Sequence, residues 1–186
     1  IAEVVRPQVV GEDPFDYEKI WHKMLDRDRW GGLLPFNAYG AVDVALWDIL
    51  GKAAGKPICK LLGGCRERVP AYFTTGPIVD PEIHAKAAKD AKAAGFQGFK
   101  LHPKGGYARD LASCRAVREA VGDEMVLMSD PVAAYNHQEA LRMGRELEML
   151  KYHWFEEPLI DMDIEGYAEL SRALEIPVVG VEWAHG

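Results

Sequence analysis

Residues 95–158 read GFQGFKLHPKGGYARDLASCRAVREAVGDEMVLMSDPVAAYNHQEALRMGRELEMLKYHWFEEP. Short apolar runs ending at Lys100 and His102, at Asp130 and at Glu156 alternate with two amphipathic stretches of helical length. That alternation marks βα units and a parallel sheet. The punctuation agrees, because Gly122 follows the first amphipathic stretch and Asn136 precedes the second, where helices stop and start.

The pattern continues in both directions. Upstream lies VPAYFTT (69–75), after which Asp80-Pro81 opens the helix EIHAKAAKDAKAA (82–94). Downstream, EGYAELSRAL (165–174) precedes IPVVGVE (176–182). The polar residues ending these runs recur regularly: 26 positions from Thr74 to Lys100, 28 from His102 to Asp130, 26 from Asp130 to Glu156 and 26 from Glu156 to Glu182. A strand, a helix and two loops use about that many residues. The polar residues are therefore expected along one edge of a parallel sheet, at the carboxyl ends of the strands, where ligand sites of α/β folds lie.

No G-x-G-x-x-G follows the first run, so a closed barrel is favoured over an open doubly wound sheet. A (β/α)8 barrel takes about 250 residues, and five strands are read here. The expected fold is α/β, an incomplete (β/α)8 TIM-type barrel belonging to a longer protein, with the isolated fragment inactive. Before Pro70 the pattern is helical, in PFDYEKIWHKMLDR (14–27) and NAYGAVDVALWDILGKAAG (37–55). The organisation expected is 1–66 for these helices and a linker, and 67–186 for the first five βα strands.

Composition limits the function. The chain has 186 residues, 48% apolar and 27% charged, with 29 acidic residues against 22 basic ones and a net charge of −7. This balance argues against nucleic acid or an anionic membrane surface as partner, and no apolar run approaches the roughly 20 residues needed to span a bilayer. Cys59, Cys65 and Cys114 form neither an even disulfide set nor a Cys-x-x-Cys pair, so a reducing cytoplasm is expected. A homo-oligomer is expected as well.

Asp130, Glu156 and Glu182 are the residues that point to chemistry. Three carboxylates gathered at one strand edge raise one another's pKa unless a cation joins them. Hard oxygen ligands favour Mg²⁺, with Mn²⁺ as the alternative. Lys100 and His102, two residues apart, leave one strand on the same face and supply a cation and a titratable base. A protonated Lys100 is expected to lower the pKa of His102 and keep its imidazole neutral. His185, three residues after Glu182, is either a substrate-facing residue or a plain loop histidine.

The stretch AYGAVDVALWDILGKAAGKPICKLLGG (38–64), followed by KLHPK, SDP, WFEEPL and VVGVE, resembles the mandelate racemase and muconate lactonizing enzyme branch of the enolase superfamily. The resemblance implies a two-domain enzyme whose capping domain ends within residues 1–66. It also implies metal ligands at the ends of the third, fourth and fifth barrel strands: Asp130, Glu156 and Glu182. Of the adjacent acids Glu156 and Glu157, the family pattern selects the first as ligand and sets Glu157 behind it. Asp43 and Asp48 match a structural helix and are read as packing and capping residues.

The chain departs from that pattern in two places. His102 stands where the family often has the second lysine of Lys-x-Lys, and Pro131-Val132 stand where Ala-Asn is common. The resemblance implies abstraction of a proton α to a substrate carboxylate, through an enediolate, by Lys100 or His102 with Mg²⁺ as Lewis acid. Dehydration of a sugar acid or other hydroxy acid is the first expectation. The alternatives are a racemase, epimerase or cycloisomerase, and a non-catalytic barrel relative. The partner expected is a small-molecule carboxylate.

Overall fold

The computed structural model describes residues 2–29, 36–180 and 182. The chain forms two compact units, Ile1–Val69 and Pro70–Gly186. The first unit holds α1 (Ala2–Val9), α2 (Tyr17–Arg29), α3 (Phe36–Ala54) and the short α4 (Ile58–Leu61). The second holds β1 (Phe73–Ile78), α5 (Pro81–Ala93), β2 (Gly98–Pro103), α6 (Tyr107–Val121), β3 (Val126–Ser129), α7 (His137–Met149), β4 (Trp154–Glu156), α8 (Ile164–Ala173) and β5 (Val178–Val179).

In the first unit, Val5, Ile20, Met24, Tyr39 and Leu46 are buried together. On α3, Leu46 and Leu50 are buried while Ile49 is 43% exposed, so the apolar face is narrower than the helical spacing implies. Asp48 is exposed. It pairs with Lys52 one turn on, at 2.6 Å. Helix α1 has no counterpart in the sequence reading, because Pro7 lies inside it and a proline there removes a backbone donor.

The second unit is a parallel sheet in the order β1-β2-β3-β4-β5. Its strands alternate as a parallel sheet requires. Phe99 and Leu101 are fully buried with helix residues Ala88, Cys114 and Val117, which sends Lys100 and His102 to the opposite face. The helices start where the sequence marks them. Asp80 accepts from the backbone N–H groups of Glu82 and Ile83 at 2.8 and 3.4 Å. Asn136 and Glu139 form a reciprocal capping box. Strand β1 runs further than its apolar residues indicate, through Gly76 and Pro77, with a register shift between Thr74 and Pro77. A proline is tolerated at such an irregular edge position because no ladder bond needs its missing N–H.

The far ends of the helices are joined by Arg118. Its guanidinium donates to the carbonyls of Leu150 and Gly122, each at 2.7 Å, of Lys151 at 2.8 Å and of Met125 at 3.0 Å. These carbonyls lie beyond the last turns of α6 and α7 and just before β3, and Arg118 satisfies groups that helix ends otherwise leave unpaired.

Candidate active site

Strand register sets the level of each side chain. Leu101 lies opposite Ser129, and Ser129 opposite Phe155, so the next residues, His102, Asp130 and Glu156, stand at one height on the carboxyl edge of the sheet. Glu156 in turn pairs with Val179. The regular count of 26 thus carries Glu182 three residues past that level. Glu182 is exposed in a turn, where its backbone N–H donates to Glu157 Oε1 at 3.0 Å.

Four of the side chains named from sequence meet. Lys100 Nζ donates to Asp130 Oδ2 at 3.1 Å and to Glu156 Oε1 at 2.8 Å. His102 Nε2 lies 3.0 Å from the same Asp130 Oδ2. Lys100 and Asp130 are buried, so these charges interact with little screening by water.

The electrostatics follow from that geometry. Burial pulls the Lys100 ammonium down, but hydrogen bonds and charge from Glu156 and Asp130 outweigh it and hold the pKa above its ordinary value. For Asp130, burial pushes the carboxyl up, and His102 and Lys100 more than reverse this, leaving it below its usual range. His102 departs from the expectation of a lowered pKa. Its hydrogen bond to Asp130 raises it, and burial and then the Lys100 charge oppose that without reversing it.

Three further residues shape the site. Trp154 Nε1 donates to Glu156 Oε2 at 2.8 Å, so both Glu156 oxygens are held. Tyr72 packs edge-on against Trp154 with ring centroids 5.7 Å apart, and its ring lies 5.9 Å from Lys100 Nζ. Thr74 Oγ1 lies 3.3 Å from His102 Nδ1. The signal for Trp154 was present in the sequence: it sits two residues before Glu156 and shares its strand face. Thr74 was legible only as a strand-end residue, and nothing in the sequence marked Tyr72.

Glu157 is buried and departs from the strand with φ 40°. Burial first, and then the neighbouring Asp161 carboxyl, push its pKa up. His185 lies outside the described residues. Among the described residues, no three His, Cys, Asp or Glu side chains close on one metal-sized point. Asp130 and Glu156 nevertheless suit a hard divalent ion. Their carboxylate oxygens already converge on one cation, the Lys100 ammonium, and an all-oxygen donor pair is the chemistry that Mg²⁺ takes. Glu182 stands at the rim beside Glu156, Glu157 and Gly180, around a small cleft of about 210 Å³.

Comparison with known proteins follows the same division. The family profile described as mandelate racemase / muconate lactonizing enzyme, N-terminal domain, matches residues 1–63. The profile described as enolase C-terminal domain-like matches residues 82–186. The L-talarate/galactarate dehydratase of Salmonella typhimurium is 37% identical over 186 residues, covering 95% of this chain and 46% of that protein. The D-galactarolactone cycloisomerase of Agrobacterium fabrum is 37% identical over 186 residues, covering 96% and 49%. The crystal structure of D-glucarate dehydratase from Agrobacterium tumefaciens, complexed with magnesium, superposes with a TM-score of 0.93 at 36% identity, covering 98% of this chain and 51% of that one. The chain thus spans about half the length of the curated relatives it matches. Its five strands are part of an enolase-type C-terminal barrel, preceded by an N-terminal capping region.

Proposed function

The chain belongs to the mandelate racemase / muconate lactonizing enzyme family of the enolase superfamily, and we propose that the protein removes a proton α to the carboxylate of a hydroxy acid, most directly in the dehydration of a sugar acid. The observation that carries this is the cluster in which Lys100 Nζ bridges Asp130 Oδ2 and Glu156 Oε1 while His102 Nε2 lies 3.0 Å from Asp130 Oδ2. A base, a cation and two hard-oxygen ligands share one sheet edge, which is the equipment that α-proton abstraction needs.

Asp130, Glu156 and Glu182 are the residues that would hold Mg²⁺. When bound, the ion supplies Lewis-acid stabilisation of negative charge on the substrate's carboxylate oxygens. The remaining steps belong to this chain's own residues. Lys100, kept charged by Asp130 and Glu156, adds a second positive centre where that charge develops. His102 has Nδ1 near Thr74 Oγ1 and Nε2 against Asp130 Oδ2; in its neutral form, released from Asp130, Nε2 is the nitrogen that would take the α proton. The electron pair left on carbon then expels the β-hydroxyl in dehydration or takes a proton back in isomerisation. Trp154 keeps Glu156 from rotating, and Glu157 stands behind it, holding the backbone of Glu182.

The proposed domain boundary lies between residues 66 and 67, a little before the two compact units divide after Val69, with a small-molecule carboxylate as partner, a homo-oligomer as assembly and the cytoplasm as location. Cys59, Cys65 and Cys114 are free thiols, which supports a reducing compartment. Among the described residues no helix is long and apolar enough to cross a membrane.

The test is incubation of the full-length protein with Mg²⁺ and a panel of aldonic and aldaric acids in D₂O. A 2-keto acid formed only with Mg²⁺ is expected. A second reading, cycloisomerase or racemase chemistry, is favoured by the cycloisomerase at 37% identity; it gives an isomer or returned substrate carrying deuterium at the α carbon. Neither product from any acid in the panel would overturn the proposal.

A further inference from the structure

We propose that Asp110 and Tyr135, which lie away from the cluster itself, are positioning residues that fix the base His102 and the ligand Asp130 relative to one another. The inference rests on the function proposed above. Asp110 is 1% exposed, yet among the described residues neither carboxylate oxygen meets a cationic side chain. Oδ1 accepts the backbone N–H of Gly105 at 2.7 Å, and Oδ2 accepts the Tyr135 hydroxyl at 2.9 Å.

The two donors come from different loops. Gly105 lies in the turn that leaves β2 directly after His102 and Pro103, and Tyr135 in the segment that leaves β3 directly after Asp130. One buried carboxylate on α6 therefore ties the loop behind the base to the loop behind the ligand. An acid serving only to complement the start of α6 would need the Gly105 contact at most, and no bond to a second loop.

The segment after Asp130 needs such a tie. Val132 and Ala133 have φ of 53° and 57°, the left-handed region that a β-branched residue strongly disfavours. Conformations of this kind persist only where surrounding bonds over-determine them. Here Ala133 N–H donates to the Glu157 carbonyl at 2.7 Å and Tyr135 N–H to the Pro158 carbonyl at 3.2 Å. The Tyr135 side chain is tilted against Phe155, with ring centroids 6.2 Å apart. The turn so formed places Val132 N–H on Asp130 Oδ1 at 3.1 Å, which leaves Oδ2 to Lys100 and His102. Beside the Asp130 N–H bond to the Leu101 carbonyl at 3.0 Å, the Tyr135–Asp110 bond is thus a second link, from the turn that orients Asp130 to the loop that follows His102.

The experiment uses the full-length protein with Tyr135→Phe, Asp110→Ala and Asp110→Asn. It reads amide hydrogen exchange in peptides covering 103–109 and 130–136, Mn²⁺ affinity by electron paramagnetic resonance, and Tm. Tyr135→Phe is expected to speed exchange in both segments and to weaken Mn²⁺ binding about tenfold, in the range seen for groups that orient metal ligands, with little change in Tm. Asp110→Ala should do the same more strongly. Asp110→Asn, which keeps an acceptor for Gly105, should rescue the 103–109 segment. Faster exchange confined to 130–136, or a lower Tm with unchanged Mn²⁺ affinity, would overturn the proposal. A wild-type protein that binds no Mn²⁺ would instead defeat the function proposed above, and the paired exchange result would still decide whether the tie exists.

Discussion

Trp154 Nε1 donates to Glu156 Oε2 at 2.8 Å, from two residues back on the same strand face. The bond leaves Oε1 to Lys100 and, with it, fixes the plane of the carboxylate. A hydrogen bond to a charged group is worth about 1.5–3 kcal/mol. Trp154→Phe keeps the aromatic surface facing Tyr72 and removes only the donor. Turnover of the full-length enzyme should fall by roughly tenfold or more, in keeping with that energy, with Tm nearly unchanged. Steady-state kinetics beside a melting curve checks it, and unaltered turnover would remove Trp154 from the site.

Arg118 serves stability and lies apart from the cluster of Lys100, His102, Asp130 and Glu156. Its four carbonyl partners belong to three separate chain ends, and truncation leaves the buried Met125 carbonyl and three part-buried ones without this donor. Arg118→Ala should destabilise by about 1–3 kcal/mol, the cost of one buried group left unsatisfied. Arg118→Lys should recover only part, because an ammonium cannot reproduce the planar fork. Urea denaturation of the full-length protein measures both.

The frame was legible in the sequence because its signals are local. Asp80-Pro81 and Asn136 start helices by hydrogen bonds made within three residues, and alternation around Lys100 reports which face of β2 is buried. What depends on distant partners was not legible. The pKa of His102 is set by Asp130, 28 positions away; the sequence reading weighed only Lys100, its near neighbour. Glu182 was counted by a constant step, but the β4 to β5 unit is shorter than its predecessors, and only strand register reveals that. The Asp110–Tyr135 tie joins residues 25 apart that match no motif.

His84 gives the protein an acid sensitivity. It is fully buried on α5, and among the described residues neither ring nitrogen has a hydrogen-bond partner. Burial, reinforced by the charge of His102 and opposed by Asp80, lowers its pKa from 6.5 to about 4. The folded state therefore keeps His84 neutral while the unfolded chain takes up a proton below about 6.5. This contribution to stability is complete above pH 6.5 and is lost as the pH falls towards 4. Urea midpoints of the full-length protein between pH 7.5 and 4.5 should fall less steeply for His84→Leu than for the wild type. Parallel slopes would contradict the assignment.

The central claim is that His102 moves the α proton while Asp130, Glu156 and Glu182 hold the metal. Exchange of the substrate α proton in D₂O, followed by proton NMR in full-length His102→Asn beside a Mn²⁺ titration, tests it most directly. Loss of a general base typically costs about 10²–10⁴ in rate, so exchange should slow by at least about a hundredfold while Mn²⁺ affinity stays near that of the wild type. Exchange at the wild-type rate would contradict the account and move the base to another residue.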